Sequence, residues 1–169
     1  LKMLLLAYRD KSTAQTPLQE LLTLTTVVPV SVSYELDPCA LDKAHELAVI
    51  EQLGEYVKKP DEDLKSMVQG LMGHKGRVRL AFCEPITAAS SLEDLTEQLD
   101  QTIVANTRLY PTHRYARALN AGLDTQDLVN HPTVRVLAAE LESLSAAERP
   151  FLLQQYANIW RNRQELGIG

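Results

Sequence analysis

The sequence predicts an α/β first half followed by an all-helical second half. Three observations carry this. Two short β-rich runs, residues 27–35 (VVPVSVSYE) and 77–83 (RVRLAFC), are separated by helical periodicity, and after Ser91 the apolar spacing is helical throughout. The predicted division is an α/β part at 1–89 and a helical tail at 90–169.

The elements follow in order. Residues 1–8 (LKMLLLAY) read as the middle of a helix with no capping residue before it, so an upstream part of the protein is expected. A polar stretch to Thr16 precedes a short helical run at 18–22. In the first strand Val28, Val30, Val32 and Tyr34 share one face at period two, and Pro29 puts the strand's start at an edge, a bulge or an exit toward a site. Asp37 is the expected cap of the next helix, with Pro38 at its first position and Gly54 as its stop after Leu53. A second helix starts near the acidic run 60–63, carries Leu64, Met67, Val68 and Leu71 on one face, and stops at Gly73. The second strand is closed by Pro85.

In the second half Leu92, Leu95, Leu99, Ile103 and Val104 form an apolar stripe, capped by Ser90 or Ser91 with Asp94 downstream. Further helices are expected from Pro111 to Leu119, from Asp124 or Thr125 to the break at His131-Pro132, and from Thr133 to Leu144. The last runs from Ser145, with Glu148 completing a capping box, to about Leu166.

Composition narrows the function. Seventeen Lys and Arg against 22 Asp and Glu give a net charge of -5 over 169 residues. That argues against a general nucleic-acid binder, which needs basic surface to displace phosphate counterions. Two cysteines, Cys39 and Cys83, make no disulfide framework and read as small hydrophobes, and no Cys/His spacing suggests a metal. The apolar run at 3–7 is far short of a membrane span, and a cytoplasmic setting is the expectation.

Few side chains converge on a reaction. His45 reads as a half-exposed helix histidine, and His131 as a turn residue. His113 and Arg114, with Arg108 and Arg117 nearby, read as a charged helix face. Glu35 and Asp37 read as turn and capping carboxylates. Lys75, Arg77 and Arg79 cluster with His74 at a turn bounded by Gly73 and Gly76. They either decorate a solvated helix-to-strand turn or bind an anion such as a phosphate. Leu137, Leu141, Leu144, Phe151, Leu152, Tyr156 and Trp160 lie at helical spacing that suits a core and could also line a partner-facing groove.

Three segments resemble the C-terminal half of bacterial acyltransferases of the glycerol-phosphate and lysophosphatidic-acid acyltransferase superfamily. They are residues 28–39 (VPVSVSYELDPC), residues 65–67 with 73–78 (KSM and GHKGRV), and residues 106–112 (NTRLYPT); the resemblance spans roughly 1–115. It implies a partial sheet of an acyltransferase-type α/β domain. The implied reaction, which needs no cofactor, moves a fatty acyl group from acyl-CoA or acyl carrier protein as donor to a glycerophosphate or lysophospholipid acceptor. By the same resemblance Val28, Pro29 and Val30 would line the acyl or acceptor pocket. Apart from the resemblance, the clustering of Lys75, Arg77 and Arg79 at a Gly-bounded turn leads to the expectation that they face the acceptor phosphate or anionic headgroups.

The family's HxxxxD motif is absent. Ile50, Arg79, Ala118 and Val136 stand five positions after His45, His74, His113 and His131, and the Gly/Arg phosphate motif is missing too. Both lie upstream of this segment in the family. The expectation is therefore a chain without catalytic residues, inactive alone. Its partners are a catalytic N-terminal half, the acyl donor and acceptor, and a membrane surface touched peripherally at its inner face, with no nucleic acid. The competing expectation is a non-catalytic helical interaction module derived from such an enzyme.

Overall fold

A computed structural model describes residues 18–168, without the side chains of Gln19 and Leu21. The helix expected at 1–8 lies outside the described residues. Those described form seven helices and one two-stranded antiparallel sheet, a mixed α/β chain. The elements are α1 (Leu18–Leu24), β1 (Val30–Tyr34), α2 (Ala40–Leu53), α3 (Glu62–Met72), β2 (Val78–Phe82), α4 (Leu92–Asn106), α5 (Pro111–Asn120), α6 (Pro132–Ser143) and α7 (Arg149–Glu165).

The described residues fall in two compact units, each made of two stretches of the chain. Among the described residues one comprises 18–32 with Leu80–Thr107, the other Ser33–Arg79 with 108–168. In the first unit Leu22, Ile86 and Leu95 form a small core, joined by Leu18, Val27 and Leu99 from α1, the strand approach and α4. The start of α4 is as the sequence indicates. Ser91 Oγ accepts the Asp94 N–H at 3.1 Å, and the Asp94 carboxylate accepts both the N–H and the hydroxyl of Ser90 at 2.7 Å.

In the second unit α2, α5, α6 and α7 close around Ala40, Ala44, Ala116, Val134, Leu137, Leu152 and Tyr156. Alanines on α2 and α5 allow close helix approach, and the large side chains come from α6 and α7. Leu137, Leu141, Leu152 and Tyr156 are buried, and Leu144 and Phe151 pack against them, so these residues are core rather than a partner-facing groove. Trp160 stacks under the Arg117 guanidinium, 4.1 Å from the ring centre.

Strand register fixes what each sheet face carries. The Cys83 N–H donates to the Pro29 carbonyl and the Glu35 N–H to Arg77, so Val32 stands opposite Leu80, and Val30 opposite Phe82. The next bridge, Val27 with Ile86, takes one extra residue on the second strand, a bulge beside Pro29 that absorbs the proline's missing donor. The valine face is not the covered one. Val32, Leu80 and Phe82 are 52%, 56% and 75% exposed, while Ser31, Ser33 and Glu35 of the alternate set are buried. Alternation identifies two faces, but only the hydrogen-bonding partners of Ser31, Ser33 and Glu35 decide which turns inward.

Three further boundaries differ from expectation. Asp37 does not cap α2: its carboxylate accepts the Cys39 N–H at 2.9 Å in a tight side-chain turn, and the helix begins at Ala40. Residues 124–130 form turns rather than a helix, starting with the Gln126 N–H on the Asp124 carboxylate at 3.0 Å. α7 begins at Arg149, because Glu148 reaches back to the Ser145 N–H and hydroxyl (2.9 and 2.6 Å) across an intervening turn. Gly54 (φ 85°) ends α2 as expected.

Candidate functional site

The strongest polar constellation centres on Glu35, just past the end of β1. Its side chain is 2% exposed. Arg77 Nε and Nη2 donate to Oε1 at 3.0 and 2.6 Å, and the Arg77 backbone N–H donates to Oε2 at 2.8 Å. Thr112, fully buried on the first turn of α5, donates its hydroxyl to the Glu35 carbonyl at 2.6 Å. Gly76 makes the approach possible, since a Cβ there would lie 2.7 Å from Glu35 Oε2, and its φ of +64° disfavours any side chain. Burial pushes the Glu35 carboxyl up, but the bonded Arg77 guanidinium and N–H outweigh it and hold the group below the usual glutamate value. An ionised, fully bonded carboxylate of this kind fixes backbone and is unsuited to act as a general base at neutral pH.

Beside it, Ser33 Oγ accepts the Arg108 N–H at 2.9 Å, which holds the entry to α5. His113 then accepts the Tyr110 N–H at Nδ1 (3.0 Å), its ring between those of Tyr110 and Tyr156, with centroids 5.9 and 6.1 Å away. Burial lowers its pKa to about 4, so it is a neutral capping group and not part of a charged helix face. The Tyr156 hydroxyl accepts the Asp37 N–H at 3.0 Å. Burial also pushes the Cys39 thiol up, away from thiolate character.

The basic residues singled out in the sequence have separate occupations. Lys75 Nζ donates to the Leu71 and Gly73 carbonyls (3.1 and 3.2 Å), capping the end of α3. Arg77 holds Glu35 and lies 5.4 Å from the Tyr110 ring centre. Arg79 is exposed on the same strand face as Arg77. Val28 is exposed, Pro29 buried and Val30 half-buried; these three belong to the first unit, the basic cluster to the second.

One histidine does meet a carboxylate. His45 Nδ1 lies 2.8 Å from Glu148 Oε1, on an open surface with the imidazole more than half exposed. The bonds from Ser145 and His45 lower the Glu148 pKa to about 2. Among the described residues no group of three or more His, Cys, Asp or Glu side chains is placed to hold a metal ion.

Sequence reading missed Glu35, Gly76, Thr112 and His113 as one cluster. A faint signal was available: Glu35 continues the Ser31, Ser33 parity, and a charge at the end of a polar strand face needs a partner. No protein-family model, no curated protein and no solved structure matches the chain.

Proposed function

We propose that this chain is the C-terminal part of an acyltransferase that moves a fatty acyl group from acyl-CoA or acyl carrier protein to a glycerophosphate or lysophospholipid acceptor, at the inner face of a cell membrane. The observation that carries the reading is the open apolar sheet face. In the first unit Val32 opposite Leu80, with the exposed Phe82, present aliphatic and aromatic surface to solvent, while the other face of β1 is polar and satisfied. A strand pair of this kind fits a larger α/β domain, in which that face is covered by another layer.

The sheet's inner end is rigidly built, with Glu35, Arg77 and Gly76 locking β1 to the segment after α3. Such a scaffold suits a wall that positions substrate while the reacting groups come from elsewhere. The HxxxxD base is supplied by the N-terminal half that the resemblance implies. Val28, Pro29 and Val30 contribute to the acyl or acceptor pocket on the side of the first unit.

The test is acyl transfer by the complete translation product, using radiolabelled acyl-CoA and acyl carrier protein thioesters with glycerol 3-phosphate and lysophosphatidate. The complete product transfers acyl groups and residues 1–169 alone do not. Absence of transfer from every donor and acceptor pair, or transfer by residues 1–169 alone, overturns the reading.

A further inference from the structure

We infer that the outer edge of β1 and its approach, at Val28, Val30 and Val32, receives a third strand, an uncharged extended segment of the protein upstream of Leu1. The direction of the backbone groups carries this. The Cys83 N–H donates to the Pro29 carbonyl and the Glu35 N–H to the Arg77 carbonyl. Hydrogen-bonded positions alternate in an antiparallel pair. Residues 29, 31, 33 and 35 therefore turn their backbone groups toward β2, while 28, 30 and 32 turn theirs away. Among the described residues the sheet has two strands, so no strand runs along that outer row. The same parity gives β2 an outer row at Val78, Leu80 and Phe82. Two strands alone are marginal in water, and a third at one of these edges makes a stable sheet.

Composition decides between the edges. A strand that ends a sheet in solvent usually carries charge. β2 does, with Arg79 inside it and Arg77 just before it, and four of its five residues are exposed. From Val27 to Tyr34 no residue is charged, and Pro29, Ser31 and Ser33 are buried. That is the makeup of a strand flanked on both sides. Proline is ordinarily an edge residue. Here the Pro29 backbone faces β2 beside the bulge, so its missing donor takes nothing from the outer row. The N–H groups of Val28, Val30 and Val32 are all present there, and a row of main-chain donors and acceptors is matched by an extended chain. The neighbouring side chains specify that chain further. Val30 and Val32 share the open face with Leu80 and Phe82, whereas Ser31 lies on the other, its hydroxyl 3.1 Å from that of Thr107. The incoming strand continues the open face with aliphatic residues at alternate positions and carries small uncharged residues between them. The inference rests on the acyltransferase reading in one respect, that protein precedes Leu1.

The experiment is amide hydrogen exchange on the complete translation product, resolved by NMR, with cross-strand proton contacts recorded on the same sample. The amides of Val28, Val30 and Val32 exchange as slowly as those of Ser31 and Ser33, which face β2. Those of Leu80 and Phe82 exchange about a hundredfold faster. Val30 and Val32 show cross-strand contacts to residues upstream of Leu1, unchanged on dilution. The inference is overturned if Val28, Val30 and Val32 exchange as fast as Leu80 and Phe82, or if Leu80 and Phe82 are the protected pair. It is equally overturned if the contacts come from residues within 1–169, or if protection falls on dilution, the mark of a second copy. Acyl transfer measured on the same protein separates the two claims. Transfer with fast outer amides keeps the acyltransferase reading and removes this inference. Slow outer amides paired with upstream residues, without transfer, do the reverse.

Discussion

Arg77 holds Glu35 with three hydrogen bonds, two from its guanidinium and one from its own backbone N–H, so a single residue satisfies a nearly fully buried carboxylate. The pair fixes the end of β1 against the segment that follows α3. Glu35→Ala leaves the Arg77 N–H without its acceptor and costs about 2 kcal/mol of stability, measured by urea unfolding at pH 7. The pH dependence has a definite sign. Because the folded carboxyl sits below its ordinary value of 4.5, its contribution is complete above 4.5 and fades as pH falls through the lower folded value. The gap between wild type and Glu35→Ala is therefore constant from pH 7 to 5 and narrows below 4.5.

Gly76 and Gly54 both have positive φ, yet they respond differently to alanine. At Gly76 the new Cβ meets the Glu35 side chain at 2.7 Å and Thr133 at 3.3 Å, so Gly76→Ala destabilises by about 3 kcal/mol. At Gly54 nothing lies within 4 Å, and Gly54→Ala costs about 1 kcal/mol of conformational strain alone. Equal losses in paired thermal melts would refute the close approach.

The two faces of β1 make an unusual mutational contrast. Val32→Thr on the open face changes stability by less than about 0.5 kcal/mol, whereas Ser33→Ala on the inward face, which strips the acceptor from the Arg108 N–H, costs about 1 kcal/mol. Chemical denaturation of both variants checks the ordering. The reverse order would mean that the valine face is covered in solution.

His113 gives the chain an acid-sensitive element. Its folded pKa of about 4 lies below the unfolded value of 6.5, so the unfolded chain binds the proton first. Stability from this group is complete above pH 6.5 and is lost as pH falls toward 4, by at most about 1.4 kcal/mol per pH unit. His113→Gln can still accept the Tyr110 N–H but does not titrate. Its stability profile is flatter between pH 6.5 and 4, as pH-resolved unfolding curves can show.

Much of the fold is legible in the sequence where a local rule decides. Gly54, Gly73, Ser91 and Pro111 mark helix ends and starts because capping depends on nearest neighbours. What local pattern cannot carry is the choice of face. The valines of β1 and the leucines of α3 look outward because Ser31, Ser33, Ser66 and Gly70 meet Thr107, Arg108 and Cys39, partners up to 76 residues away in sequence. The candidate site is similarly non-local. Glu35 reads as a turn carboxylate until Arg77, 42 positions on, is brought to it, and His113 reads as surface until Tyr156 covers it.

The acyltransferase proposal is tested most directly by the coding sequence upstream of Leu1. The account predicts an HxxxxD motif there, followed by a Gly/Arg phosphate-binding motif, in the same reading frame. A frame that begins at or just before Leu1, or one that runs upstream without those motifs, would contradict it and favour a non-catalytic module.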